Sequence, residues 1–421
     1  MKTISKYYNL LVKDSLYRNS IYLMLSTAVM AFLGFFFWII NARLFSTEQV
    51  GIGTALISVM SLISSLSMLG LGNGLIRYLA GYEKKNIMIN TSSTIVLITA
   101  IIFSVIYLIF IKIFSPKLLF VRENILFAIL FILFTVFTSL NVILEDVFIA
   151  NRSTVVVLIK NTISSIVKLI LPVLLVAMGA YGIFMSVGIT MAIAFLISLV
   201  FLIIRFNYMP KPIININVVK KMTKLSLGSY IGGLIISLPA SVLPILIINL
   251  IGAKSSAYFY MAMMIAGLLY VVPTATSQSL FAEGSFSETE LKIHLKKAIK
   301  IISIIIIPAI IIISLFGNYI LLAFGKEYSA EGFTLLRFFS ISGIFISINS
   351  IGATILNIKH KIVIMILVSF INVIVILSMS VILLKYNLFG VTGVVGVGIA
   401  WIVGHGITAL VYLFLIKKFA H

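Results

Sequence analysis

Residues 155–178 read VVVLIKNTISSIVKLILPVLLVAM. The run is long enough to cross a bilayer, which takes ~20 mostly apolar residues. Yet Lys160, Asn161, Ser164, Ser165 and Lys168 interrupt it. At ~100° per residue, Asn161, Ser164 and Ser165 fall within about 60° of Lys168, and Pro172 lies about 40° from it. They form one polar stripe on a helix otherwise built of Val, Ile and Leu. Lys160 sits about 80° off that stripe, near the helix start, where its stem can snorkel to the interface. Lys168 is about 20 Å in, too deep to reach either surface. A lysine at the bilayer centre costs ~2.5–3.5 kcal/mol on insertion scales, so it belongs against a bundle interior or a water-filled cavity. The rest of the chain reads as the wall of that cavity.

Working outward, similar apolar runs recur along all 421 residues, which are 62% hydrophobic and 10% charged, with mean hydropathy +1.23. Soluble domains do not have this composition. We read an all-α polytopic membrane protein with twelve transmembrane helices, over 21–41, 50–72, 88–112, 124–149, 155–178, 180–204, 227–250, 256–280, 299–316, 336–356, 362–384 and 390–416. The first run is a full span, not a signal peptide. No cysteine is present, which removes disulfides, thiol chemistry and thiolate metal sites. A net charge of +20 would suit nucleic acid, but the charges sit in short connections between spans. There they set topology and attract anionic lipid.

Most basic residues fall in alternate connections. Lys84 and Lys85 follow span two, Lys220, Lys221 and Lys224 precede span seven, and Lys296, Lys297 and Lys300 lead into span nine. The segment 112–123, with Lys112, Lys117 and Arg122, runs against the trend. Taken over the chain, the bias puts both termini in the cytoplasm of a plasma-membrane protein. The longest polar stretch, 205–226, divides the spans into an N-terminal lobe, 1–209, and a C-terminal lobe, 210–421, which we expect to surround a central cavity. At an offset of 208, Lys13 matches Lys221, Gly182 matches Gly390 and Gly188 matches Gly396. Six spans per half gives two repeats of the same orientation. Segments 1–18 and 214–226 mix Lys with Tyr, Leu and Val, and read as interfacial helices on the inner leaflet.

At residues 34–82 the chain reads GFFFWIINARLFSTEQVGIGTALISVMSLISSLSMLGLGNGLIRYLAGY. Ala42-Arg43-Leu44, Glu48-Gln49-Val50-Gly51 and Gly70-Leu71-Gly72 leading into Ile76-Arg77-Tyr78-Leu79 resemble the first two spans of the polysaccharide-transporter family of lipid-linked oligosaccharide flippases. That family shares a superfamily with multidrug and toxin extruders and lipid II flippases. The resemblance continues at Ala150-Asn151-Arg152 and Gly182-Ile183, and the chain departs from lipid II flippases in ending after twelve spans with no arginine inside span one. It implies a transporter, not an enzyme, with no cofactor. The implied substrate is a lipid-linked oligosaccharide, on a prenyl phosphate or pyrophosphate carrier. Membrane lipids and glycan-synthesis membrane proteins are the candidate partners, and nucleic acid is not one.

The candidate substrate-binding residues are Lys168, Lys160, Asn161, Ser164, Ser165 and, in span eight, Gln278. An ammonium in a low-dielectric cavity attracts phosphate strongly. The alternative for either lysine is structural pairing with Glu145 or Asp146 at the end of span four. For that acidic pair itself, a solvated helix end, an ion pair with Lys160 or Arg152, and cation coupling stand as alternatives. Span seven carries Gly228, Gly232, Gly233, Pro239 and Pro244. Proline inside a helix removes a hydrogen bond and kinks it, so Pro239, Pro244 and Gly232 are candidate gating or hinge positions, against a static kink. His405 reads as a packing histidine or a proton-linked one. No P-loop is present, and no His/Glu cluster has metal-ligand spacing. The rival functions are a cation-coupled drug antiporter of the same fold and a non-transporting partner in a glycan-synthesis complex.

Overall fold

The computed structural model describes residues 15–286, 291–386 and 393–419, and these are helical with no strand among them. Twelve helices are long and apolar enough to cross a membrane. In chain order they are α1 Ser15–Leu44, α2 Thr47–Ser67, α3 Lys85–Phe114, α4 Ile125–Ala150, α5 Thr154–Leu174 and α6 Ala180–Phe206, then α7 Ile216–Leu250, α8 Ala253–Phe286, α9 Leu291–Leu322, α10 Lys326–Ile358, α11 Ile362–Tyr386 and α12 Val395–Phe419. They answer the twelve apolar runs one for one. Their outward faces carry exposed Ile, Leu and Phe, such as Ile113, Ile204 and Phe414, which only a lipid or protein surface tolerates in such number.

Local backbone chemistry moves several boundaries. α2 stops at Ser67, not at 72, because Leu69 (φ 47°) and Gly70 (φ 79°) take left-handed conformations that end a helix. A short helix, Leu71–Tyr78, follows. α5 stops at Leu174, not at 178, where a 3-10 turn, Val176–Met178, leads to Gly179. α9 and α10 extend past the expected 299–316 and 336–356, so that only 323–325 joins them. The interfacial helix expected over 214–226 is instead the first part of α7, which runs unbroken from Ile216 to Leu250. Its apolar residues Val218 and Met222 are fully buried in a cluster with Leu71, Leu75, Met88 and Phe148. They are therefore core, and do not float on the membrane surface.

The chain forms two compact units, Met1–Phe45 with Leu56–Leu234, and Ser46–Ala55 with Ile235–His421. The first 19 residues of α7 thus belong to one unit and the rest to the other. Lys13, Gly390 and most of the N-terminal amphipathic segment lie outside the described residues.

In the first unit α1 packs along α5, while α3 and α6 pack along α4. Gly188 of α6 lets that helix seat directly on the Phe134 ring of α4, the close approach that small residues permit in membrane bundles. Asn90 of α3 anchors the polar connection after α6. Its Nδ2 donates to the Met209 carbonyl at 2.8 Å, and its Oδ1 accepts from the Tyr208 hydroxyl at 2.6 Å and the Lys211 amide at 3.1 Å. Burial pushes the Tyr208 hydroxyl up to about 12, so it stays a donor. Tyr230 donates to the Ser65 and Leu66 carbonyls, at 3.0 and 2.9 Å, and so satisfies acceptors left open at the end of α2. In the second unit α10 is the central helix, packed against α8, α9 and α12, with α11 along α12. Gly352 of α10 faces Tyr412 of α12, where a β-carbon would stand 2.6 Å from the ring.

Candidate functional site

The polar stripe of α5 faces inward in the first unit, onto a cavity of about 340 Å³ walled by α1, α4, α5 and α6. α5 supplies Asn161, Ser164, Ser165 and Lys168, the four residues grouped by helical spacing. α4 supplies Thr138, Asn141, Glu145 and Asp146, and α6 supplies Thr190. The geometry follows from the sequence of α5. Ile159, Ile163, Ile166 and Ile170 face outward and are exposed, and the polar side turns into the bundle.

The two lysines have separate fates. Lys160 is fully buried and does not line the cavity. Its Nζ donates to Glu145 Oε2 and to Asn141 Oδ1, both at 2.8 Å. This is the structural pairing that the sequence left as the alternative. Lys168 has no carboxylate partner among the described residues. Its Nζ stands 4.3 Å above the centroid of Phe37 on α1, and Phe37 is itself fully buried with its ring edge-packed on Trp38. The negative ring face holds the ammonium by a cation–π contact worth ~0.5–2 kcal/mol. The shortened α5 brings Lys168 to within ~9 Å of the helix end at Leu174, yet the side chain turns into the cavity.

Around Lys168 the polar atoms are only partly used. Asn161 Nδ2 donates to Ser26 Oγ at 2.9 Å, and Thr190 and Thr138 hydroxyls bond back to the Ser186 and Phe134 carbonyls. Ser164 Oγ is buried and has no partner among the described residues. A cation and a free hydroxyl on one wall form a site able to receive an anion with oxygen acceptors. Asp146 lines the same cavity, with its carboxylate against Gly72, where any β-carbon would collide with Oδ2. That contact accounts for glycine at this position of the Gly70-Leu71-Gly72 motif.

Gln278 lies in the second unit, where it lines a cavity of its own. Pro239 also lines a second-unit cavity, while Gly232 is a buried residue of the first. Sequence reasoning missed Phe37, Thr138, Asn141 and Thr190. For α4 the signal was present, because Thr138, Asn141 and Glu145 recur at helical spacing on one face.

A family model described as polysaccharide biosynthesis protein matches residues 16–281. No curated protein matches the chain in sequence. Solved structures share its fold. The lipid II flippase MurJ, in an inward closed conformation, superposes with a TM-score of 0.78 at 16% identity, over 94% of this chain and 87% of MurJ. An inward-facing multidrug resistance MATE family transporter of the MOP superfamily gives 0.70 at 15% identity, over 96% of this chain and 98% of that one. A MOP superfamily transporter from Pyrococcus furiosus, described by a binding pocket of reverse polarity, gives 0.64 at 15% identity, over 96% and 95%. The chain shares the fold of these three solved proteins.

Proposed function

The chain belongs to the polysaccharide biosynthesis protein family, and on that premise we propose that it flips a lipid-linked oligosaccharide across the cytoplasmic membrane and holds the anionic phosphate linkage at Lys168. One observation carries the reading: an ammonium on a cavity wall, without a carboxylate partner, next to the unpartnered Ser164 hydroxyl. A phosphate or pyrophosphate supplies the missing countercharge, and the polar wall replaces its lost hydration. The prenyl tail stays in lipid. Both termini face the cytoplasm in this reading, and the lobes 1–209 and 210–421 rock about the site. Without a nucleotide motif, an ion gradient, the membrane potential or consumption of the product drives the cycle.

The presence of Asp146 and Glu145 on the same wall favours a second reading, cation-coupled antiport. Glu145 is engaged by Lys160, which leaves Asp146 as the carboxylate for that role.

The test is surface-glycan export measured together with membrane protein level. Lys168→Ala is expected to abolish export at near-normal protein level, since no buried acid loses its partner. Lys168→Arg is expected to keep part of it, because charge is retained and geometry altered. Normal export by Lys168→Ala would sink the phosphate assignment. Proton- or sodium-driven efflux of a cationic dye that is lost in Asp146→Asn would favour the antiporter.

A further inference from the structure

The second unit contains a cavity of about 270 Å³ among α7, α8, α10, α11 and α12. Trp401 and Tyr412 line it, together with Asn349, Asn372 and His405, and none of its lining residues is Asp, Glu, Lys or Arg. The amides form one cluster. Asn349 Nδ2 and Asn372 Nδ2 lie 3.2 and 3.1 Å from His405 Nδ1, and 3.0 and 3.1 Å from Thr408 Oγ1. With both amide groups donating, Nδ1 is the acceptor and the imidazole proton sits on Nε2. Among the described residues, that Nε2–H has no acceptor and Asn349 Oδ1 has no donor. One cluster thus holds an open donor and an open acceptor in a buried place, where each costs free energy until it is filled. A hydroxyl group fills both roles, since it donates once and accepts twice.

The cavity is not isolated. Thr274 and Ser350 also line a neighbouring space of about 320 Å³, which continues along Gln278, Thr354 and Asn357 and again includes no Asp, Glu, Lys or Arg. On α10 the spacing of Ser350, Thr354 and Asn357 keeps these side chains within about 60° of one another, with Asn349 at the edge of that face, and on α8 Thr274 and Gln278 lie one turn apart. The result is a neutral lane of amides and hydroxyls beginning at two aromatic rings. Ligand sites have this composition: aromatic walls with a few placed polar groups.

We infer that this lane binds the uncharged sugars of the substrate, one pyranose ring seated at Trp401 and Tyr412 with its hydroxyls on Asn349, Asn372 and His405, and further residues along Gln278, Thr354 and Asn357. The inference rests on the reading of the chain as a lipid-linked glycan transporter and adds where the glycan itself is recognised. Neutrality decides the ligand class, because a phosphate or uronate would find no countercharge here.

Of the chain's two tryptophans, Trp38 lies in the first unit and Trp401 on this cavity. Full-length Trp38→Phe protein in detergent therefore reports from Trp401 alone. Its emission is titrated with glucose, galactose, rhamnose and N-acetylglucosamine, and with inorganic pyrophosphate. At least one sugar is expected to give a saturable change, and pyrophosphate none. The sugar response should weaken about tenfold with Asn372→Ala or Asn349→Ser, as loss of one buried hydrogen bond gives, and should persist with Lys168→Ala. No response to any of the four sugars up to their solubility overturns the inference, as does a response to pyrophosphate. A sugar response that neither asparagine variant changes, in protein that stays monodisperse, overturns it too. The outcome separates from that of the phosphate assignment. Sugar binding with normal export by Lys168→Ala keeps the lane and loses the phosphate site, and the reverse result does the opposite.

Discussion

The first unit's cavity presents Lys168, Glu145 and Asp146 among its polar residues, whereas the two joined cavities of the second unit that hold Asn349 and Gln278 present amides, hydroxyls and aromatic rings. Both are built the same way, from helices whose apolar sides face outward and whose polar stripes meet inside. The difference lies in what each stripe leaves unsatisfied. In the first unit it is a cation, held only by a ring face. In the second it is a neutral donor and a neutral acceptor. A buried charge demands a countercharge, while a buried amide or imidazole demands a hydrogen bond. The substrate proposed above has an anionic linkage and a neutral glycan, one for each demand.

The largest effect expected concerns the lysine that is not in the cavity. Lys160→Ala leaves the Glu145 carboxylate, which is 31% exposed and lines the cavity, and the buried Asn141 without their shared partner, a loss of ~1–3 kcal/mol. Membrane protein level and thermal stability should fall sharply, and Glu145→Gln in the same chain should recover much of both. If Lys160→Ala were stable and Lys168→Ala were lost from the membrane, the assignment of paired and unpaired lysines would be inverted.

A middle-sized effect is expected at the helix the two units share. The division between them falls at Leu234 and Ile235 of α7, between Gly232 and Pro239. Pro239→Ala with Pro244→Ala restores two backbone donors and stiffens the second-unit half. Export should slow severalfold with protein level unchanged, and with Trp401 still responding to sugar. Undiminished export would leave the prolines as a static kink. The smallest effect expected is at Phe37. Phe37→Leu keeps the apolar bulk and removes the ring face under Lys168, a loss of ~0.5–2 kcal/mol. Export should drop a few-fold, well short of Lys168→Ala, and an effect as large as the alanine change would mean that Phe37 touches substrate itself.

The sequence by itself determined the helical class, the twelve spans and the inward face of α5, because hydropathy over ~20 residues and a 3.6-residue period are local properties. It also marked the ends that glycine and proline chemistry controls only roughly, since left-handed Leu69 and the early stop at Leu174 have no strong signal in their neighbours. Which lysine is paired was decided by tertiary structure alone. Helical angles put Lys160 and Lys168 about 80° apart, but only the packing of α4 beside α5 brings Glu145 and Asn141 to Lys160, and only that of α1 brings Phe37 to Lys168. The same holds for the neutral lane. α10 carries many serines, and spacing cannot rank them. Ser340 and Ser347 spend their hydroxyls on the Leu336 and Gly343 carbonyls of their own helix. Asn349 reaches across to His405 and Thr408 of α12 and still has an acceptor to offer. A side chain's type fixes what bonds it is able to make. Which of them remain open depends on neighbours far away in the chain, and those are known only once the helices are packed.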